Sequence, residues 1–196
     1  MTGAPPILKL MGDVAIQPLL AQLEANPQLW NQNRFRTEGA YGNPHSKLSD
    51  IIVRFNDWAN WKGDRMQFCE RHEPVWWGAY EVLTYIEELV FDLMRLVRGE
   101  HLGMVLITKI PPHTRCEPHT DAGWNAVYHD KYLVSLKAND QQRFCYEGYH
   151  LVTAPGDLCM FRNDISHWVE NDSDEDRWSL IICIRNRWTP SAAEGK

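Results

Sequence analysis

The sequence predicts a mainly β chain with flanking helices, its strands closing into a barrel, and three observations carry that prediction. Short apolar or β-branched runs stand at about 104 to 110, 131 to 137, 142 to 147, 149 to 153, 157 to 161, 167 to 170 and 177 to 185, with turn residues between most of them, as a jelly roll requires. Helical periodicity is found ahead of these runs. His119 and His167 both sit in motifs of metal-ligand character, yet they are 48 residues apart (167 minus 119), too far for a hairpin and natural for a barrel returning on itself.

In the front half, Asp13 through about Ala25 reads as a helix with Leu19, Leu20 and Leu23 on one side, Pro18 near its first turn and Asn26-Pro27 ending it. Ile51 to Phe55 is a short apolar strand, followed by a turn at Asn56-Asp57. From Glu81 to Arg98, apolar residues recur at Leu83, Ile86, Leu89, Val90, Leu93, Met94 and Val97, and Gly99 follows as a stop signal. Of the nine tryptophans, Trp58, Trp61, Trp76 and Trp77 concentrate here; packing of a helical layer on the barrel is the first reading, a stacking wall for a substrate the second. The chain reads as one domain, 1–196, with 1–100 a mixed helical and strand elaboration, 101–188 the barrel core with the metal site, and a loose tail from Ser191 to Lys196.

At 196 residues the chain can bury one sizeable core, and its hydrophobic fraction of 44% is ordinary. No run approaches the length of a membrane span, and the N-terminus lacks the pattern of a signal peptide, so a cytoplasmic protein is expected. Five cysteines, Cys69, Cys116, Cys145, Cys159 and Cys183, are odd in number and without C-x-x-C spacing, which indicates reduced thiols. A net charge of −6 without a dense Lys/Arg run disfavours nonspecific binding to nucleic acid. The oligomeric state is not legible.

The chemistry concentrates in His119-Thr120-Asp121, His167 and Arg177-Trp178-Ser179. On an extended strand, residues i and i+2 share a face, so His119 and Asp121 can reach one ion while Thr120 points away. Two histidines and a carboxylate occupy one triangular face of an octahedral ion and leave three positions open, which suits a non-haem Fe(II) oxygenase. Both histidines must be neutral to ligate, so metal affinity should fall in acid. From Arg177 to Ile184 the alternation puts Arg177, Ser179, Ile181 and Cys183 on one face and Trp178, Leu180, Ile182 and Ile184 on the other, a strand covered on both sides. An arginine there needs an anionic partner, and Arg177 with Ser179 can bind one carboxylate. His113 and His129 are read as loop histidines, and His45, His72, His101 and His150 form no constellation.

The segment from about Leu102 to Arg187 resembles the aspartyl/asparaginyl β-hydroxylase-like branch of the Fe(II)/2-oxoglutarate dioxygenases, which includes bacterial proline hydroxylase-like enzymes. The matching pieces are Ile110-Pro111-Pro112-His113-Thr114, Pro118-His119-Thr120-Asp121, Lys131 to Leu136, Pro155-Gly156-Asp157-Leu158 and Asn163 to Asn171 running into Arg177. The resemblance implies a double-stranded β-helix (jelly-roll, cupin-like) barrel with iron at one open end. It implies His119, Asp121 and His167 as iron ligands, Arg177 as partner of the distal carboxylate of 2-oxoglutarate, and Thr108 as a helper there. Lys131 falls where the family often has an arginine near the metal-bound end. Leu133 stands where the animal enzymes have a histidine, and Asp121 where they have glycine. Arg54, Trp124 and Asn163 are candidate substrate contacts, Arg54 because the family often carries an arginine on a comparable N-terminal strand.

The expected function is hydroxylation of a C–H bond of an amino-acid side chain, free or in a peptide or protein, with Fe(II), 2-oxoglutarate and dioxygen and release of succinate and CO2. Nucleobase or nucleic-acid oxidation by the same chemistry and a noncatalytic metal-binding jelly-roll module are the alternatives. The substrate itself is not legible, since a fold does not specify one.

Overall fold

Alternation decides which face each strand buries, and here it builds two antiparallel sheets with a polar seam between them. The computed structural model describes residues 4–38 and 42–186. In chain order the elements are β1 (Ile7–Met11), α1 (Gln17–Ala25), β2 (Ser49–Asn56), α2 (Arg65–Phe68), β3 (Pro74–Trp76), α3 (Ala79–Val82), α4 (Tyr85–Val97), β4 (Gly99–Ile110) and β5 (Thr114–His119). They continue with α5 (Trp124–Tyr128), β6 (Asp130–Lys137), β7 (Gln142–Tyr146), β8 (Tyr149–Val152), β9 (Leu158–Phe161), β10 (His167–Asn171) and β11 (Arg177–Asn186). The large sheet runs β1-β9-β6-β11-β4-β2-β3 and the small one β5-β10-β7-β8. This is a jelly roll with an N-terminal elaboration, the fold class expected.

The outer face of the large sheet supplies Val105, Ile107, Val134, Leu136, Trp178, Leu180, Ile182 and Ile184, which pack with Leu19 and Leu23 of α1 and with Ile86, Val90 and Leu93 of α4. Between the sheets, Leu133, Cys159 and Phe161 meet Phe144 and Tyr146. A third cluster joins Ile52, Met104, Leu106 and Cys183 to Phe55 and Phe68, with Phe35, Trp61 and Trp77 against it. Most of the front-half tryptophans therefore serve packing: Trp58 and Trp61 stack at 5.3 Å between ring centroids, and Trp77 meets Trp58 at 5.8 Å.

Two helix boundaries differ from expectation for local reasons. Asp13 adopts a positive φ of 59° and the Val14 N–H donates to Gly156 O at 3.0 Å, so α1 begins only at Gln17. The 81–98 periodicity is broken at Leu83 and Thr84 into α3 and α4, and Arg98, at φ 55°, makes the left-handed turn assigned to Gly99, which instead opens β4. Strands β1 and β3 were not expected: in β1 only Ile7 is buried, so it has no alternation to read. The Ser191–Lys196 tail lies outside the described residues. None of the described helices is long and apolar enough to cross a membrane.

One buried residue beside the barrel gives a pH prediction. His129 is 2% exposed, its ring fits against Gly103 so closely that a Cβ there would lie 2.6 Å from Nε2, and its Nδ1 pairs with Asn125 O at 3.0 Å. Burial lowers its pKa from 6.5 to about 4, against the pull of that carbonyl. A histidine held neutral by folding contributes stability that is fully present above the unfolded pKa and lost as pH falls toward the folded one. Between pH 6.5 and 4 the stability of the wild type relative to His129→Gln should fall by roughly 3 kcal/mol; urea titrations at both pH values measure it, and a constant difference would refute it.

Candidate active site

Three side chains converge at one end of the barrel. His119 ends β5 and His167 opens β10, and the two are direct partners across the small sheet, their ring centroids 4.5 Å apart. Between them and Val169↔Cys116 the register shifts, one residue of β10, Trp168, facing two of β5. The extra residue makes a β-bulge at Glu117-Pro118, where a proline without an N–H costs the ladder nothing, and it re-aims His119. Asp121 does not extend the strand, contrary to the alternation expected for His119 and Asp121. It stands in the loop after β5, fixed by its N–H donating to Asn163 O at 2.9 Å. The result is still convergence: His119 Nε2 lies 3.7 Å from Asp121 Oδ1 and His167 Nε2 lies 3.8 Å from Asp121 Oδ2.

The backs of both imidazoles are fixed. His119 Nδ1 donates to Glu117 O at 2.7 Å and His167 Nδ1 to Ile165 O at 3.0 Å, which leaves each Nε2 as a lone pair turned to the carboxylate. Burial lowers the pKa of both rings, against the pull of those carbonyls and Asp121, so they are neutral at pH 7. Burial alone would raise the Asp121 carboxyl; the Lys131 ammonium, 2.5 Å from Oδ2, more than offsets it and holds the group ionised. Two neutral nitrogens and one carboxylate oxygen, all within 4.8 Å of one another, are a group that could hold a metal ion, with donors of the kind that suits Fe(II).

Deeper between the sheets, one face carries a polar row in register. Asp50 on β2 pairs with Thr108 on β4, Thr108 with Ser179 on β11, and Ser179 with Ser135 on β6, all four buried. Ser135 Oγ donates to Thr153 Oγ1 at 2.7 Å, and Arg177 Nη2 donates to the same oxygen at a long 3.4 Å. Arg177 is 1% exposed, Nε and Nη1 have no hydrogen-bond partner, and among the described residues no carboxylate pairs with it. Burial pushes even its guanidinium down to about 10. A buried arginine fork with unmet donors, two residues from Ser179 on one strand face, fits a carboxylate.

Residues 58–187 match the family model described as Aspartyl/Asparaginyl beta-hydroxylase. The chain belongs to that family. With it the chain is a 2-oxoglutarate-dependent dioxygenase. No curated protein sequence matches it. A 2OG-Fe(II) oxygenase family oxidoreductase from Burkholderia pseudomallei superposes with a TM-score of 0.55 at 14% identity, covering 85% of this chain and 77% of that one. A viral collagen prolyl hydroxylase from Paramecium Bursaria Chlorella virus-1, solved as its 2OG complex, superposes with a TM-score of 0.56 at 10% identity, covering 93% and 97%. At such identities these likenesses speak for the shared fold.

The other expected residues divide. In this hydroxylase Lys131 reaches Asp121, one of the three clustered donor residues. Trp124 follows the motif on α5 and packs against His72, Tyr128 and His129, with centroids 5.1, 5.2 and 5.5 Å away. Asn163 is a positioning residue by its contacts: its carbonyl holds Asp121 and its Nδ2 donates to Ala126 O at 2.9 Å. Arg54 is not brought to the triad; its guanidinium lies 5.0 Å over the Trp76 ring and Nε donates to Leu102 O at 3.5 Å. His45, read as having no constellation, stands with its ring 4.7 Å from His119. Ser135 and Thr153 were not singled out, although Ser135 shares the face of Lys131 by simple alternation. Asn163→Ala keeps the backbone carbonyl that holds Asp121 and removes the Nδ2 bond to Ala126 O that fixes its loop, so metal affinity should weaken about tenfold, read by Mn(II) titration; unchanged affinity would deny the side chain a part in holding that loop.

Proposed function

We propose that this chain hydroxylates a C–H bond of an amino-acid side chain, free or within a peptide, with His119, Asp121 and His167 holding Fe(II). Arg177, assisted by Ser179 and Thr108, receives the distal carboxylate of 2-oxoglutarate, and Lys131 faces the metal-bound end. The observation that carries the reading is the buried Arg177 fork, whose Nε and Nη1 lack partners, in a barrel that also carries the His119, Asp121 and His167 donor cluster. Iron, 2-oxoglutarate and dioxygen, when bound, supply the oxidation of the C–H bond coupled to formation of succinate and CO2. The chain's own part is orientation and shielding. The carbonyls of Glu117 and Ile165 hold the two rings as neutral donors, Lys131 keeps Asp121 ionised, and Phe144, Tyr146 and Phe161 close the space between the sheets against water.

The net charge of −6 argues for amino-acid or peptide substrates over nucleic acid. A screen by succinate release over free amino acids, short peptides and oligonucleotides tests the substrate class. Substrate-stimulated release with an amino acid or peptide supports the proposal; stimulation by oligonucleotides alone would replace it with the nucleic-acid reading.

A further inference from the structure

Behind the triad, a second set of metal-binding atoms converges on the same histidine. His45, Cys116 and His119 each place one ligand atom so that all three lie within 4.8 Å of one another. His45 and Cys116 have no part in the proposed hydroxylation. The bulge in β5 creates the cluster. Residues three apart face opposite sides of a regular strand, but the extra residue between Cys116 and His119 turns both to one side, and Cys116 Sγ stands 3.9 Å from His119 Nδ1. A tetrahedral ion about 2.3 Å from sulfur and about 2.1 Å from nitrogen needs about 3.6 Å between those two atoms, so a shift of a few tenths of an ångström closes the pair.

His45 is delivered by the loop before β2, where Glu117 N–H donates to Pro44 O at 3.2 Å, and its ring meets that of His119 edge-on at 4.7 Å. Two imidazoles and a thiol are a softer donor set than two imidazoles and a carboxylate. They favour a thiophilic ion such as Zn²⁺ over Fe²⁺.

We propose that His45, Cys116 and His119 form a second, thiophilic cation site whose occupation excludes iron from the triad. The exclusion arises because one ring serves both sites with different nitrogens. With its proton on Nδ1, donated to Glu117 O at 2.7 Å, His119 offers the Nε2 lone pair to the triad. To ligate an ion on the Cys116 side, Nδ1 must supply the lone pair; its proton is lost there, and Nε2 takes one up. Cys116 gives its thiol proton to solvent as the sulfur–metal bond forms. The balance is one proton released per ion and no change in oxidation state. In this tautomer Nε2–H faces Asp121, whose Oδ1 is 3.7 Å away, and the triad has lost a ligand. The second site then acts as a brake operated by a soft divalent cation.

Co(II) titration of the metal-free protein tests the site without cosubstrate or turnover, so its outcome is separate from that of the hydroxylase reading. Wild type should develop a near-ultraviolet sulfur-to-cobalt charge-transfer band, and Cys116→Ser and Cys116→Ala should not. Absence of the band in wild type, or its persistence in the Cys116 variants, overturns the site. The exclusion is read by adding Zn²⁺ to the Fe(II)-loaded protein and following loss of bound iron. Cys116→Ala and, as a second variant should that one not fold, the half-buried loop change His45→Gln should each need at least tenfold more Zn²⁺. Equal sensitivity of the folded variants and wild type would place the displacing ion on the triad itself and overturn the exclusion.

Discussion

His119→Ala and His167→Ala should each lower turnover by more than about a thousandfold, because removal of either ring leaves two donors where a facial site needs three. The His119 and His167 backs are held by the Glu117 and Ile165 carbonyls, and Asp121 is committed between both Nε2 atoms and Lys131. The loss should be one of metal binding. Mn(II) titration should show affinity down by at least about a hundredfold, while circular dichroism shows the fold intact. A variant that keeps full activity would remove its histidine from the ligand set.

Arg177→Met should have the second large effect, and in opposite directions for binding and stability. The fork's charge-assisted bonds to a carboxylate amount to about 3 kcal/mol, so half-saturation by 2-oxoglutarate should need about 100-fold more cosubstrate. Iron affinity should not change, since no triad atom touches Arg177. Without cosubstrate the same variant should melt at a higher temperature than wild type. The wild-type guanidinium is 1% exposed with Nε and Nη1 unpartnered, and replacing such a cation with an apolar chain of similar volume is stabilising by about 1–4 kcal/mol. Adding 2-oxoglutarate should raise the melting temperature of wild type and leave the variant's nearly unmoved. A variant that melts lower than wild type and binds 2-oxoglutarate equally well would make Arg177 an ordinary structural cation.

What could be read in the sequence was what alternation encodes. In β11 the two faces separated as expected, Leu180, Ile182 and Ile184 into the helix-covered core and Arg177 and Ser179 into the seam between the sheets. The strands from 131 onward fell close to their expected limits because turn residues bound them on both sides. The start of β4 did not, since Gly99, Glu100 and His101 join the sheet through backbone pairing with β11 and carry no apolar signal.

The triad residues were legible, but the reason they meet was only partly so. His119 and Asp121 converge through a bulge and a loop tied to Asn163, a contact 42 residues away (163 minus 121) that local periodicity does not contain. His45 was invisible for the same reason: it lies on a loop, and only the turn of β5 at Glu117-Pro118 brings His119 and Cys116 toward it. Arg54 illustrates the reverse. Its strand was expected correctly, yet the register shift between Ile52 and Arg54 accompanies its pairing with Trp76, over whose ring its guanidinium lies.

If the triad and the Arg177 fork form one site for Fe(II) and 2-oxoglutarate, binding of the cosubstrate must change the metal's spectrum and depend on Arg177. Anaerobic titration of the Fe(II)-loaded protein with 2-oxoglutarate, followed by the visible metal-to-ligand charge-transfer band, tests it most directly. A band should appear that saturates in wild type and requires about 100-fold more 2-oxoglutarate in Arg177→Met. Iron bound without any band, or a band that saturates identically in both proteins, would contradict it.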